Sequence, residues 1–223
     1  MTKKIIAVDL DGTLLNSESK LSDFTKETIK KISEKGHHVI ITTGRPYRMA
    51  KDFYRELELH TPMINFNGSL THLPGQAWAH EKCLTLDKKY LLDMVKRTED
   101  IQADFIAGEY RKKFYITTPN EEIADPKLFG VENFRPENQF KPERVTKDPN
   151  CILLQTRAED KYALADEMNR FYQHQLSINT WGGPLNILEC TPKGVNKAFA
   201  LEYLLNVMNR DKKDRSEEHT SEL

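Results

Sequence analysis

An apolar, mostly β-branched run at positions 5–8 leads directly into two aspartates, Asp9 and Asp11, and then a glycine. Such a run is typical of a buried strand in a parallel sheet, and the carboxyl ends of those strands form the edge where open α/β sheets bind ligands. Because side chains alternate along a strand, Asp9 and Asp11 are expected on one side if the extended geometry continues. Two neighbouring carboxylates repel each other, so the segment predicts a site for a hard cation such as Mg²⁺. The alternative is that Asp9 simply ends a strand and Asp11 begins a turn.

A second strand is predicted one helix later. Ser22 has the character of a helix N-cap, and Gly36 that of a helix stop, before a new β-branched run at residues 38–43. Strand, helix and strand at this spacing form a βαβ unit with parallel strands. The end of the second strand is therefore expected at the same sheet edge as Asp9.

The residues at that second strand end suit a phosphate group. Thr43 offers a hydroxyl, Gly44 an accessible backbone, and Arg45 a guanidinium that pairs in bidentate fashion with phosphate oxygens. The alternative is an ordinary turn in which Thr43 caps the helix that begins near Tyr47.

Two later segments add polar groups. Asn67 and Gly68 close a short third strand as a turn, and that interpretation holds in any fold. Lys197 falls in the first turn of a predicted helix, where a cation opposes the helix dipole. A nearby aspartate and bound phosphate would explain this lysine, and a solvated surface position is the alternative.

The 223 residues suffice for one large or two modest domains. The character of the chain changes near residue 83, and the irregular alternation of helices and strands over 83–187 suggests an inserted α+β domain. Within it, residues 120–150 are polar and rich in proline, which predicts irregular structure.

Composition narrows the possible partners. With 30% charged residues, 38% hydrophobic residues and a net charge of −1, the chain reads as a globular protein with no electrostatic basis for binding nucleic acid or a membrane surface. Its three cysteines are far apart, which argues against zinc and a disulfide framework and favours the cytoplasm. No apolar run reaches the ~18 residues that span a bilayer. The sequence carries no signal for an oligomeric state.

Taken together, the motifs at residues 9–13, 43–46, 67–68 and 194–197 resemble those of the haloacid dehalogenase-like hydrolases, in the Cof-type, type IIB branch. Within that branch the chain is most similar to bacterial sugar-phosphate phosphatases. The resemblance implies an α/β fold. Its core would be a Rossmann-like parallel sheet formed by residues 1–82 and 188–214, with residues 83–187 as an inserted α+β cap domain.

The resemblance also implies a role for each motif residue. Asp9 resembles the nucleophile that forms an aspartyl-phosphate, and Asp11 the general acid/base. Thr43 resembles the hydroxyl that binds the transferred phosphoryl group, and Lys197 the lysine that pairs with nucleophile and phosphate. Mg²⁺ would be bound by the Asp9 carboxylate and the Asp11 backbone carbonyl. The expected substrate contacts are Thr43, Gly44, Arg45, Asn67 and Gly68.

The sequence differs from the family pattern in two respects. Ala198 stands where the family commonly has glycine, and the fourth motif, Gly-Asp-x-x-Asn-Asp, is absent. Residues 215–223 lack apolar periodicity, which predicts disorder, and they resemble a translated sequencing adapter. We therefore expect a C-terminally truncated chain with a non-native tail from about residue 215, weak Mg²⁺ binding, marginal folding and little activity.

Three functions fit the sequence. The leading hypothesis is a Mg²⁺-dependent phosphatase for small phosphorylated metabolites, and the resemblance to the family implies sugar phosphates. A phosphomutase uses the same aspartyl-phosphate chemistry. A non-catalytic module that binds a phosphorylated ligand is the third possibility, although the presence of both Asp9 and Asp11 argues against it.

Overall fold

The computed structural model describes residues 3–209 and 215–218, which form two compact units. The first unit contains the described residues up to Cys83 together with those from Val195 onward. The second unit is Leu84–Gly194. The chain therefore leaves the first unit once and returns to it, so that the second unit is an insertion.

The first unit begins with the predicted strand, helix and strand. Strand β1 (Ile5–Val8) and strand β2 (His38–Ile41) pair in parallel, on either side of helix α1 (Asp23–Glu34) in the sequence. The Ser22 hydroxyl accepts the Thr25 N–H at 3.1 Å, which makes Ser22 the N-cap as expected. The α/β character of the fold is thus confirmed.

Helix α2 (Tyr47–Glu56) follows and leads into strands β3 (Met63–Asn65), β4 (Leu70–His72) and β5 (Lys82–Cys83). These three strands form an antiparallel sheet in the order β3-β4-β5. A parallel bridge between Thr42 and Ile64 joins β3 to the end of β2. Strand β3 therefore carries its residues to the sheet edge where β1 and β2 end.

The core explains the unbroken apolar runs of β1 and β2. On one face of the sheet, Ile5 and Ile40 pack with Ala200, Leu201 and other apolar residues of helix α5 (Lys197–Val207). The other face packs against α1 and α2 through the remaining strand residues, including Val8, Val39 and Ile41. Because both faces are covered, the strands carry few polar side chains.

The second unit is built on a five-stranded antiparallel sheet. It comprises α3 (Lys88–Lys96), β6 (Ala103–Glu109), β7 (Phe114–Ile116), β8 (Cys151–Thr156), α4 (Lys161–Phe171), β9 (Leu176–Thr180) and β10 (Ile187–Pro192). The strand order is β7-β6-β8-β10-β9. The sequence predicted that the inserted domain ends at residue 187. The second unit instead extends to Gly194, because strand β10 pairs with both β8 and β9.

The structure of residues 215–218 differs from the disorder that the sequence predicted for the C-terminal segment. Strand β11 (Arg215–Glu218) pairs in parallel with β1, so the predicted disorder is wrong for these four residues. Backbone hydrogen bonds along the open edge of β1 do not require an apolar sequence in the partner strand. Residues 219–223 lie outside the described residues, and the non-native origin of the tail stays a prediction. None of the described helices is long and apolar enough to cross a membrane.

Candidate active site

The chain turns sharply where β1 ends. Asp9 is still extended, but the next residues form a wide turn in which the Leu15 N–H donates to the Leu10 carbonyl at 2.9 Å. Within the turn, Gly12 has a φ of 72°, a left-handed conformation that glycine adopts without steric cost. The strand is interrupted at Leu10, where the turn begins, so strand alternation does not place the Asp9 and Asp11 side chains on one side.

Asp9 pairs with the lysine that begins α5. The Lys197 ammonium donates to Asp9 Oδ2, and the Leu10 N–H donates to Asp9 Oδ1 at 2.7 Å. Asn196 is the N-cap of α5, since its side chain accepts the Phe199 N–H at 2.8 Å. Lys197 thus opposes the helix dipole but gains an ion pair with a carboxylate 188 residues away.

Asp11 pairs with a second cation, Arg45. Arg45 donates from Nε to Asp11 Oδ2 at 2.8 Å and from a terminal nitrogen to Oδ1 at 2.6 Å. The guanidinium carbon lies 5.6 Å from the centre of the Phe53 ring. Such a bidentate pair is directional as well as attractive. The repulsion expected between the two aspartates is therefore offset by two side-chain cations, Lys197 for Asp9 and Arg45 for Asp11.

Thr43 is buried inside the loop that follows β2. Its N–H donates to the Ile64 carbonyl at 3.0 Å, and its hydroxyl accepts the Arg45 N–H at 3.1 Å. Helix α2 begins after Pro46 without a side-chain cap. The alternative in which Thr43 caps α2 is therefore wrong, because its hydroxyl serves the loop itself.

The Asn67–Gly68 turn touches both of the other site segments. The Asn67 N–H donates to the Thr43 carbonyl at 3.1 Å, and a Cβ on Gly44 would lie 3.1 Å from the Asn67 side-chain amide. A Cβ on Gly68 would lie 2.3 Å from the Asn196 carbonyl oxygen. The sequence suggested substrate contact for this turn, which stays a prediction. The sequence did not reveal that the turn packs between the Thr43 loop and the residue before Lys197.

The donor set for a metal ion is small. The family resemblance assigns the metal to the Asp9 carboxylate and the Asp11 backbone carbonyl, and this assignment stays a prediction. Within the described ranges, no group of three or more His, Cys, Asp or Glu residues could hold a metal. Oxygen donors suit Mg²⁺, which commonly keeps several waters and takes only one or two carboxylates from a protein. The chemistry of these oxygen donors is compatible with Mg²⁺, and binding of Mg²⁺ here stays a prediction.

At this edge of the sheet, Asp9 and Asp11 each pair with a cation, and the Thr43 hydroxyl lies in the loop that follows the neighbouring strand. Carboxylates, cations and a hydroxyl are residue types that suit phosphoryl transfer. A family profile described as haloacid dehalogenase-like hydrolase matches residues 6–215. The chain therefore belongs to the haloacid dehalogenase-like hydrolases, as the motifs predicted.

Two curated relatives come from Bacillus subtilis strain 168, and both are named 5-amino-6-(5-phospho-D-ribitylamino)uracil phosphatase. YcsE is 41% identical over 198 residues, which cover 89% of this chain and 69% of YcsE. YitU is 30% identical over 203 residues, which cover 89% of this chain and 73% of YitU.

Among solved structures, the subclass IIB sugar phosphatase BT4131 shares the fold. Its TM-score is 0.76 at 17% identity, with 96% of this chain and 80% of that one covered. Together, the family match, YcsE and YitU make the chain a phosphoric monoester hydrolase, with small phosphorylated metabolites as its class of substrate.

Proposed function

We propose that the chain hydrolyses sugar phosphates or closely related phosphorylated polyols through an aspartyl-phosphate on Asp9, with Mg²⁺ as cofactor. The observation that carries this proposal is the pairing of Lys197 with Asp9 at the tip of β1. A lysine at this position balances the charge of the carboxylate and supplies a cation for the incoming phosphoryl group. Positive charge around that group is the main contribution a protein makes to phosphoryl transfer.

In the first step, an Asp9 carboxylate oxygen attacks phosphorus and the bond from phosphorus to the alcohol oxygen breaks. The protonated Asp11 carboxyl group gives its proton to the departing oxygen. In this structure both Asp11 oxygens accept hydrogen bonds from Arg45, which is the pairing of a carboxylate. Asp11 must therefore leave Arg45 and take up a proton from solvent before it acts, and a substrate phosphate that pairs with the guanidinium would release it.

In the second step, a water molecule attacks the phosphorus of the aspartyl-phosphate. Asp11, now a carboxylate, accepts a proton from that water, and the bond to the Asp9 oxygen breaks. Inorganic phosphate leaves, and both aspartates return to their starting states. The carboxylate nucleophile thus divides one difficult displacement into two easier ones.

The Asp9 carboxylate and the Asp11 carbonyl would hold the metal. When bound, Mg²⁺ neutralises negative charge on the phosphate oxygens and so stabilises the transition state. Because the fourth motif of the family, whose acidic residue would complete the metal site, is absent from this sequence, we propose that the polypeptide holds Mg²⁺ weakly and turns over slowly.

The names of YcsE and YitU support the substrate class. Both are named for a substrate with its phosphate on a ribityl chain, which is a sugar alcohol. We propose that this chain likewise takes a phosphate ester of a sugar or polyol. The second unit, Leu84–Gly194, would then act as the cap that sets the choice of substrate.

The test measures release of inorganic phosphate from p-nitrophenyl phosphate and from a panel of sugar phosphates, with and without Mg²⁺. We expect Asp9→Asn to lower the rate by about a thousandfold or more, since it removes the nucleophile. Asp52→Asn, an exposed position on α2, is the matched control and should keep the wild-type rate. Turnover that survives in Asp9→Asn contradicts the mechanism. Conversion of a sugar phosphate without phosphate release would identify a phosphomutase instead.

A further inference from the structure

Two buried polar side chains lie directly behind the Thr43 loop. Asn65 ends β3 and His72 ends β4, and their exposed fractions are 0% and 1%. His72 Nε2 lies 3.0 Å from Asn65 Oδ1. Polar groups at this depth cost free energy unless they are hydrogen bonded, and an apolar pair could fill the same space. The pair therefore calls for a reason beyond packing.

The reason is that Asn65 contacts the backbone of Arg45. Its Nδ2 donates to the Arg45 carbonyl at 2.9 Å. The amide orientation follows, because a carbonyl oxygen can only accept, so Asn65 Oδ1 is left to face His72. His72 must then present an N–H at Nε2 to complete the bond. His72 thus fixes the amide of Asn65, and Asn65 in turn fixes the backbone of Arg45.

Arg45 is consequently restrained at both backbone groups. Its N–H donates to the Thr43 hydroxyl at 3.1 Å, and its carbonyl accepts from Asn65 Nδ2 at 2.9 Å and, at the longer distance of 3.4 Å, from the Phe66 N–H. The Tyr47 ring packs edge-on against His72, with the ring centres 4.9 Å apart, which ties the start of α2 to the same histidine. From this fixed backbone the Arg45 side chain reaches Asp11.

We propose that Asn65 and His72 are positioning residues for the active site. They orient Arg45, and through it Asp11 and the Thr43 hydroxyl, without touching the substrate. This inference rests on the proposed function, which identifies the residues around Arg45 and Asp11 as an active site. The contact chain from His72 through Asn65 and Arg45 to Asp11 lies wholly within the first unit.

The test compares Asn65→Leu and His72→Phe with a matched control, Thr71→Val, which alters a buried polar residue on the same strand as His72. Two quantities are measured on each folded variant: kcat/KM for p-nitrophenyl phosphate, and the NMR signal of the Arg45 Nε–H, which reports its bond to Asp11. We expect both test variants to lose kcat/KM by about tenfold or more and to lose the signal, because small displacements of a catalytic group are costly. His72→Gln keeps a donor toward Asn65 and should restore both.

A purely structural pair would behave differently. If Asn65→Leu and His72→Phe unfold more easily but match Thr71→Val in kcat/KM and in the Arg45 signal, the proposal is overturned. Should Asn65→Leu fail to fold, His72→Phe carries the same comparison. If the wild-type chain releases no phosphate at all, the proposed function fails, while the Arg45 signal still tests the positioning by itself.

Discussion

At Gly68 the backbone has a φ of 111°, which side chains rarely adopt, and the peptide of Asn196 occupies the space where a Cβ would stand. Two separate constraints therefore require glycine here. The first is local and belongs to the turn itself. The second is a contact with the residue that precedes Lys197, so this glycine helps to determine where the lysine meets Asp9.

We expect Gly68→Ala to destabilise the protein by about 1–3 kcal/mol and to lower kcat/KM, since the methyl group would push Asn196 and Lys197 away. Gly75→Ala is the matched control. Gly75 also has a positive φ, 77°, but a Cβ there would meet nothing within 4 Å. Chemical denaturation and phosphate release are measured on both. Equal losses in the two variants would show that only backbone strain matters and that the contact with Asn196 does not.

At the scale of elements, α1 shows how far local sequence specifies a helix. Ser22 caps its N-terminus, and Gly36, with a φ of 82°, follows its end. Both were read from residue type alone, because capping depends on the chemistry of a few adjacent residues. The lysine that begins α5 shows the opposite case, since Asp9, which compensates for its position, comes from a distant strand.

We expect Ser22→Ala to lower the free energy of unfolding by about 1 kcal/mol, because the Thr25 N–H loses its side-chain acceptor. Ser33→Ala provides the control on the same helix. Ser33 is exposed, and alanine is the better helix former, so this variant should be neutral or slightly more stable. Urea denaturation midpoints measure both. A Ser22→Ala midpoint no lower than that of Ser33→Ala would disprove the capping contribution.

At the scale of the whole molecule, the chain builds its first unit from two distant segments around an inserted second unit. Asp9 and Lys197 come from these two segments. The three cysteines are divided between the units, with Cys83 exposed in the first and Cys151 and Cys190 buried in the sheet of the second. Burial raises the pKa of both buried thiols, which therefore stay protonated at neutral pH.

Because the thiolate is the reactive form, we expect a thiol reagent at pH 7 to modify one cysteine per native chain, Cys83, and all three in denaturant. Mass spectrometry of the labelled peptides identifies the site. Cys83→Ser should abolish the fast reaction and leave the slow one, which requires opening of the second unit. Rapid native labelling of Cys151 or Cys190 would contradict their burial.

The sequence by itself determined the parallel βαβ start, the caps of α1 and the family motifs, because each depends on residues close together in the chain. Only the tertiary structure decided that Arg45 meets Asp11, that Asn65 and His72 contact the Thr43 loop and α2, and that Gly68 packs against Asn196. It also placed β10 in the second unit and β11 beside β1. These outcomes depend on contacts between distant segments, and neither composition nor spacing specifies which side chains will meet when strands and helices pack.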